Sequence, residues 1–241
     1  IGFITYGEIT AKYLPYFLES LQQQTFKDFE LLVFDNSEKE SEKNLITLQS
    51  YYPDIKPQGV KKNLGFARAY NFLIDEAIDK KCEYFLAINP DVILEPEAII
   101  RMIARLDNHE NLGSVSAKLR YWDFKNNQKT NIIDSCGIKM LSGLRFVEVG
   151  QNQEDKGQFD NEEIIGPSGA IAMFRLSALE KIKKDSQYYD ELMFMYKEDC
   201  DLAYRLNLAG FKSKCVADAV GYHNRTAAGK GDDNITVALN R

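Results

Sequence analysis

The sequence predicts an α/β chain built on one sheet, parallel in its N-terminal part with helices on both faces and mixed further on. Three observations carry this. Short apolar runs alternate with helix-period segments over about the first hundred residues, the pattern of right-handed βαβ crossovers. Two of those runs, FELLVFD (29–35), ending in Asp35, and EYFLAI (83–88), have continuous apolar cores, as strands covered on both faces do. After Gly113 the alternation gives way to strand-like pieces joined by polar loops, which suits mixed or antiparallel pairing.

Taken in order, Ile1–Tyr6 reads as a strand. Between Ala11 and Gln24, Leu14, Phe17, Leu18 and Leu21 recur at helical spacing, with Pro15 near the start where proline is best tolerated. FELLVFD is the second strand, Ser41–Tyr51 a weaker helix and Ile55–Lys61 a short strand. Leu64–Ile78 is a helix turning Phe66, Tyr70, Leu73 and Ala77 inward; EYFLAI and a helix over Glu97–Leu106 follow. Strand-like SVSAKLRYW, NIIDSCGIKM and LRFVEVG come next. Asn152–Glu162, rich in Gln, Asp, Gly and Asn, reads as an exposed mobile loop. GPSGAIAMFR is a strand, Leu176–Lys183 a short helix, and FMYKEDCDLAYRLNLAG a helix closed by Gly210. KSKCVA and AVGYH read as two final strands. No linker divides the chain, so one domain over 1–241 is expected, with a nucleotide-binding half (1–110) and an acceptor and catalytic half (111–241).

Composition narrows the partners. Of 241 residues, 30 are Lys or Arg and 36 Asp or Glu, a net charge of −6 with no basic tract, so nucleic acid is not an expected partner. Cys82, Cys136, Cys200 and Cys215 are scattered without a C-x-x-C pair and read as reduced thiols. Sequons at Asn224 and Asn234 stand alone as hints of secretion. No apolar run approaches the ~20 residues of a bilayer span. A start inside a strand without Met and an abrupt polar end suit a chain trimmed at both ends.

Ligands of open α/β sheets bind beyond the carboxyl ends of the strands. The first four strands stop there at Thr5-Tyr6-Gly7, Asp35-Asn36-Ser37, Asn63-Leu64-Gly65 and Asn89-Pro90-Asp91. Turn chemistry explains any one of these; four polar stops, two with an acid, line a crevice. G-x-G-x-x-G is missing after the first strand, and AAGKGDD (227–233) lacks the frame of a phosphate loop. A carboxylate-held metal is the other common way to neutralise a diphosphate.

TYG, VFDNS, NLGFARAYN, LAINPDVILEP, GPSGAIAMFR, FMYKEDCDLAYRLNLAG and GYH occur in that order. Together they resemble family 2 inverting glycosyltransferases of the GT-A fold, a Rossmann-like mixed sheet, and within it the branch of bacterial rhamnosyltransferases and galactofuranosyltransferases. The resemblance runs from the first residue to about His223. It implies that Asp35 meets the pyrimidine base of the donor, with Thr5, Tyr6 and Gly7 flanking it and Asn63 and Gly65 near the nucleoside. It further implies that Asp91 is the last acid of a D-x-D motif holding Mg²⁺ or Mn²⁺ on the donor diphosphate, and that His223 assists the metal. Asn89, beside the diphosphate, replaces the motif's leading acid, and Gly7 stands where asparagine is frequent. In the Glu198-Asp199 pair, Asp199 matches the general base. Gly166, Ser168 and Gly169 are expected to let backbone approach the donor sugar or the acceptor.

The chemistry is coherent. A base accepts the acceptor hydroxyl's proton, a cation absorbs the charge of the departing nucleoside diphosphate, and a single displacement inverts the anomeric centre. The implied partners are a UDP- or dTDP-sugar and a glycan or lipid-linked acceptor of surface polysaccharide. The implied setting is cytoplasmic, with peripheral association at the inner membrane face. A non-catalytic nucleotide- or carbohydrate-binding module on the same fold is the alternative. A sugar-1-phosphate nucleotidyltransferase would need a Gly- and Arg-rich loop after the first strand, and TYGEITAKYL has none.

Overall fold

The computed structural model describes residues 1–39 and 42–223. Both sequons and the AAGKGDD segment lie outside these residues. The N-terminal part alternates β1 (Gly2–Thr5), α1 (Gly7–Ala11), α2 (Leu14–Gln22), β2 (Leu32–Asp35), α3 (Glu42–Tyr51), β3 (Gln58–Gly59), α4 (Gly65–Asp79), β4 (Tyr84–Ile88), β5 (Val92–Leu94) and α5 (Ala98–Asp107). There follow β6 (Leu112–Asp123), β7 (Gln128–Ser135), β8 (Ile138–Leu141), β9 (Arg145–Glu148), β10 (Ile171–Arg175), α6 (Leu176–Ile182), a 3₁₀ turn (Glu191–Met193), α7 (Glu198–Leu208) and β11 (Lys212–His223).

One nine-stranded sheet runs in the order β3-β2-β1-β4-β10-β6-β11-β5, with β7 beside β6; β8 and β9 form a separate ribbon. β3, β2, β1 and β4 are parallel, β10 lies antiparallel between β4 and β6, and β11 runs parallel to β6. Two apolar layers cover the sheet. Strand residues Leu86 and Ile88 pack with Phe17, Leu18 and Met102 of α2 and α5, while Phe85 and Ala87 pack with Leu73, Ile74 and Leu202 of α4 and α7. That alternation within one apolar run is what a strand buried on both faces requires.

Four expectations need correction. The third strand shrinks to Gln58–Gly59, an exposed edge paired only to β2 and followed by Lys61 at φ 54°. KSKCVA and AVGYH are one strand, β11, joined through a register shift between Val216 and Val220. NIIDSCGIKM is instead broken at Gly137, φ 100°, into β7 and β8. The segment 152–162 is not a free loop. The side chain of Asp155 is 3% exposed, pairs with the equally buried Lys118 at 3.1 Å and takes Arg120 at 2.6 Å; Asp160 adds a second contact to Lys118.

Among the described residues no helix is long and apolar enough to cross a membrane. Asp155 is the buried acid that Lys118 and Arg120 share, so Asp155→Leu takes a partner from both cations and is expected to cost ~3 kcal/mol in urea unfolding. A loss within the ~1 kcal/mol of a surface pair would show that this cluster does not anchor the segment.

Candidate active site

The ends of β1 and β2 and the start of α4 are tied together by side-chain hydrogen bonds. Asp35 Oδ1 accepts from Thr5 Oγ1 (3.0 Å) and Ser37 Oγ (2.6 Å), and Ser37 Oγ in turn accepts from Gly7 N–H (2.7 Å). Gly7 sits at φ 51° with open space around it, a left-handed position that glycine or asparagine adopts at little cost. Tyr6 is about half exposed beside it. Asn36 spans the next turn: its Nδ2 donates to Gly65 O (3.0 Å), its Oδ1 accepts from Leu64 N–H (2.7 Å), and Asn63 Oδ1 accepts from Gly65 N–H (2.9 Å). Gly65, φ 77°, admits no side chain, since a Cβ would stand 2.5 Å from Phe194 O.

The Asn89-Pro90-Asp91 turn leaves β4 and enters β5, which pairs antiparallel with the end of β11, His223 opposite Val92. This places His223 Nε2 3.4 Å from Asp91 Oδ1, both side chains nearly buried. On its other side His223 Nδ1 lies 2.7 Å from Asp134 Oδ2. Burial pushes the imidazole down, but the bonds and charges of Asp134 and Asp91 outweigh it and hold His223 up at about 9.

Asp199 opens α7, where helix N–H groups favour an anion. Its Oδ2 accepts from Gly169 N–H (3.0 Å) and its Oδ1 from Cys200 N–H (2.8 Å). A Cβ at Gly169 would lie 3.1 Å from Asp199 Oδ2, so the glycine permits this approach. Gly166 has a different reason to be glycine: a Cβ there would overlap Ala203 of α7 at 2.2 Å. Ser168 Oγ donates to Glu148 Oε1 (3.1 Å), whose other oxygen accepts from Ser135 Oγ. Glu198 turns the opposite way from Asp199, into the core, and its Oε2 has no hydrogen-bond partner. Burial and then the neighbouring Asp199 push its carboxyl up to about 8, so it is protonated at neutral pH.

The acids at 91 and 199 open at the same end of the sheet. Asn89 N–H donates to Ala170 O (2.9 Å), and the residue before Ala170 is the one that holds Asp199. The cluster of Thr5, Gly7, Asp35, Asn63 and Gly65 reaches the same end through Phe194, whose carbonyl accepts from Phe66 N–H (2.7 Å) four residues before α7. At the other end of β4, a cavity of about 470 Å³ lined by Ile78, Cys82, Arg175 and Glu180 is remote from these acids.

The family model of glycosyl transferase family 2 matches residues 1–183. The chain belongs to this family. Among solved structures it is similar to S. aureus TarS 1–349 in complex with UDP, at 17% identity and TM-score 0.62 over 92% of this chain and 60% of that one. It is similar to the mannosyltransferase PcManGT from Pyrobaculum calidifontis in complex with GDP-Man and Mn²⁺, at 15% and 0.61 over 99% and 58%. GalNAc-T7 with UDP, GalNAc and Mn²⁺ gives 11% and 0.69 over 92% and 43%. The chain therefore spans less than two thirds of each of these proteins. The likenesses establish the GT-A fold for this family 2 member.

Two protein groups face one another where the family's cation is expected, and among the described residues no cluster of three or more His, Cys, Asp or Glu gathers to hold a metal. The pair fits a hard cation all the same, because Mg²⁺ and Mn²⁺ complete their shells with substrate phosphates and water. Asp134 and Glu148 escaped the sequence reading. The one available signal was an acid inside the otherwise apolar run NIIDSCG.

Glu198 yields a pH prediction. Unfolded, its carboxyl ionises near 4.5, and folded near 8. Its contribution is fully present below 4.5, falls as pH rises between those values, and levels off above 8. Glu198→Gln cannot ionise, so it is expected to gain on the parent by a few kcal/mol between pH 5 and 8, at ~1.4 kcal/mol per unit at most. Denaturant unfolding across that range checks this; a pH-independent difference would mean that Glu198 ionises normally in the fold.

Proposed function

We propose that the chain transfers a sugar, with inversion, from a pyrimidine nucleoside diphosphate to a hydroxyl of a glycan or lipid-linked acceptor. The observation that carries the reading is the convergence of Asp91 and Asp199 on one end of the sheet, joined by the Asn89–Ala170 and Gly169–Asp199 bonds. Residues 1–110 form the donor half of the proposed single domain and 111–241 the acceptor half.

In this reading Asp35 accepts the imide N–H of uracil or thymine. Thr5 and Ser37 both bond its Oδ1 and fix the plane of the carboxylate. Tyr6 covers the base, Gly7 keeps the turn beside it open, and the Asn63–Gly65 turn borders the ribose. Asp91 and His223 hold the divalent cation, with Asn89 beside them. Bound there, the cation neutralises the diphosphate and stabilises it as a leaving group. Asp199 takes the proton of the attacking hydroxyl. Its two backbone N–H donors orient the carboxylate, while the neighbouring Glu198 holds its own proton and adds no charge. Ser168 and Gly169 shape the wall on the acceptor side. The motif resemblance makes dTDP-rhamnose the first donor to try, and bacterial surface polysaccharide at the cytoplasmic face of the membrane the first setting.

Calorimetry with UDP, dTDP and GDP, each with and without Mn²⁺, tests the donor. Binding of the pyrimidine diphosphates strengthened by Mn²⁺ is expected, with GDP weaker; equal binding of GDP would remove Asp35 from its role. With a transferred donor in hand, Asp199→Asn is expected to keep donor affinity within a factor of about two and lose ~10²–10⁴-fold in turnover. Retained turnover would exclude Asp199 as the base. Donor binding without transfer to any glycan or lipid-linked acceptor would favour a binding module.

A further inference from the structure

We infer that Asp134 is a positioning residue for the cation arm, fixing the tautomer and aim of His223; the inference rests on the reading of Asp91 and His223 as a cation site. An imidazole binds a metal only through an unprotonated nitrogen, so the proton must sit on the other one. Metal-bound histidines accordingly donate their second N–H to a carboxylate or carbonyl. Asp134 is completely buried near the end of β7, and its Oδ2 lies 2.7 Å from His223 Nδ1. An ionised carboxylate only accepts hydrogen bonds, so Asp134 holds the proton on Nδ1, and the proton a cation would displace from the ring is the one on Nε2, which faces Asp91 at 3.4 Å. Ligands at right angles on a cation with ~2.1 Å bonds would be about 3.0 Å apart, so the two groups need to move little to share one.

The placement is not incidental to packing. β7 pairs with β6 through Leu119 and Ser135, and β6 pairs with β11 through Leu119 and Gly221, so three adjacent strands set the ring and its anchor. A carboxylate with no exposure is costly unless bonded to a donor, and the imidazole is a donor that also points at the site.

The chain has two histidines, and His109 is exposed in a loop remote in sequence from the site. His109→Gln therefore leaves a protein with a single imidazole for NMR. In its ¹⁵N spectrum with Mg²⁺ and UDP, the expected result is a proton on Nδ1 and none on Nε2. A proton on Nε2 in that state overturns the inference without any substitution at 134.

The second measurement is calorimetric Mn²⁺ binding in the presence of UDP. Asp134→Asn, whose amide supports either tautomer, is expected to weaken Mn²⁺ by about 10–100-fold, with metal-free UDP binding unchanged. Unchanged Mn²⁺ affinity overturns the assignment of Asp134 alone. If the parent itself shows no Mn²⁺ binding with UDP, and His223→Asn behaves like the parent, the cation reading fails and takes this inference with it.

Discussion

Strand β10 runs antiparallel between β4 and β6, and its register decides where the acids of the site can meet. Ile171 pairs with Ile88, so the loop before β10 and the turn after β4 leave the sheet side by side. The bond from Asn89 N–H to Ala170 O closes that pairing, and from there Gly169 reaches Asp199. A slip of one residue would turn Met173 and Phe174 to the wrong layers, because side chains alternate along a strand. The hydrophobic core thus enforces the register, and the register brings residues 91 and 199 to one end of the sheet although 108 positions separate them in the chain.

That end gathers acids, partly exposed at Asp35 and Asp199 and buried at Asp91, Asp134 and Glu198, and each is accommodated differently. Asp35 is held by two hydroxyls and Asp199 by two backbone N–H groups at a helix start. Asp91 and Asp134 face opposite nitrogens of one imidazole. Glu198 has none of these partners and keeps its proton instead. The outcome is a set of acids each held in a different way by its environment. Sites that separate the roles of similar carboxyl groups are built this way.

How much of this was legible follows from the range of each interaction. The stops after β1, β2 and β4, at Thr5, Asp35 and Asp91, were visible because turn residues interrupt apolar runs locally, and they share one edge by the rules of parallel sheets. Asn63 instead lies past the shortened β3, just before α4. α4 was visible through its helical period and α7 through its closing Gly210, although the helix expected from Phe194 begins only at Glu198. Asp134 was not, since its partner lies 89 residues on, and Glu148 meets Ser168 only after the β8–β9 ribbon folds back. The segment 152–162 was misjudged for the same reason. Its polar composition describes its surface, whereas Asp155 is fixed by Lys118, 37 residues earlier. The two pieces of β11 looked separate because the bulge carries polar Asp218 between apolar neighbours.

The approach to α7 shows how the two ends of the site are linked. Phe194, Tyr196 and Lys197 all have positive φ, and Lys197 is the residue that starts the helix. Such conformations cost of order 1–3 kcal/mol each in non-glycine residues and persist only where surroundings over-determine them. Here the surroundings are α4. Buried Asn71 holds Tyr188 N–H, Tyr189 N–H and Tyr189 O, while Phe66 and Ala67 N–H groups both donate to Phe194 O. The strained segment is therefore clamped to the helix whose first residue, Gly65, completes the Asn36–Asn63 turn. Any shift of α4 along its axis would move the proposed nucleoside turn and the proposed base together, so the distance between them is set by one rigid helix and not by two independent loops.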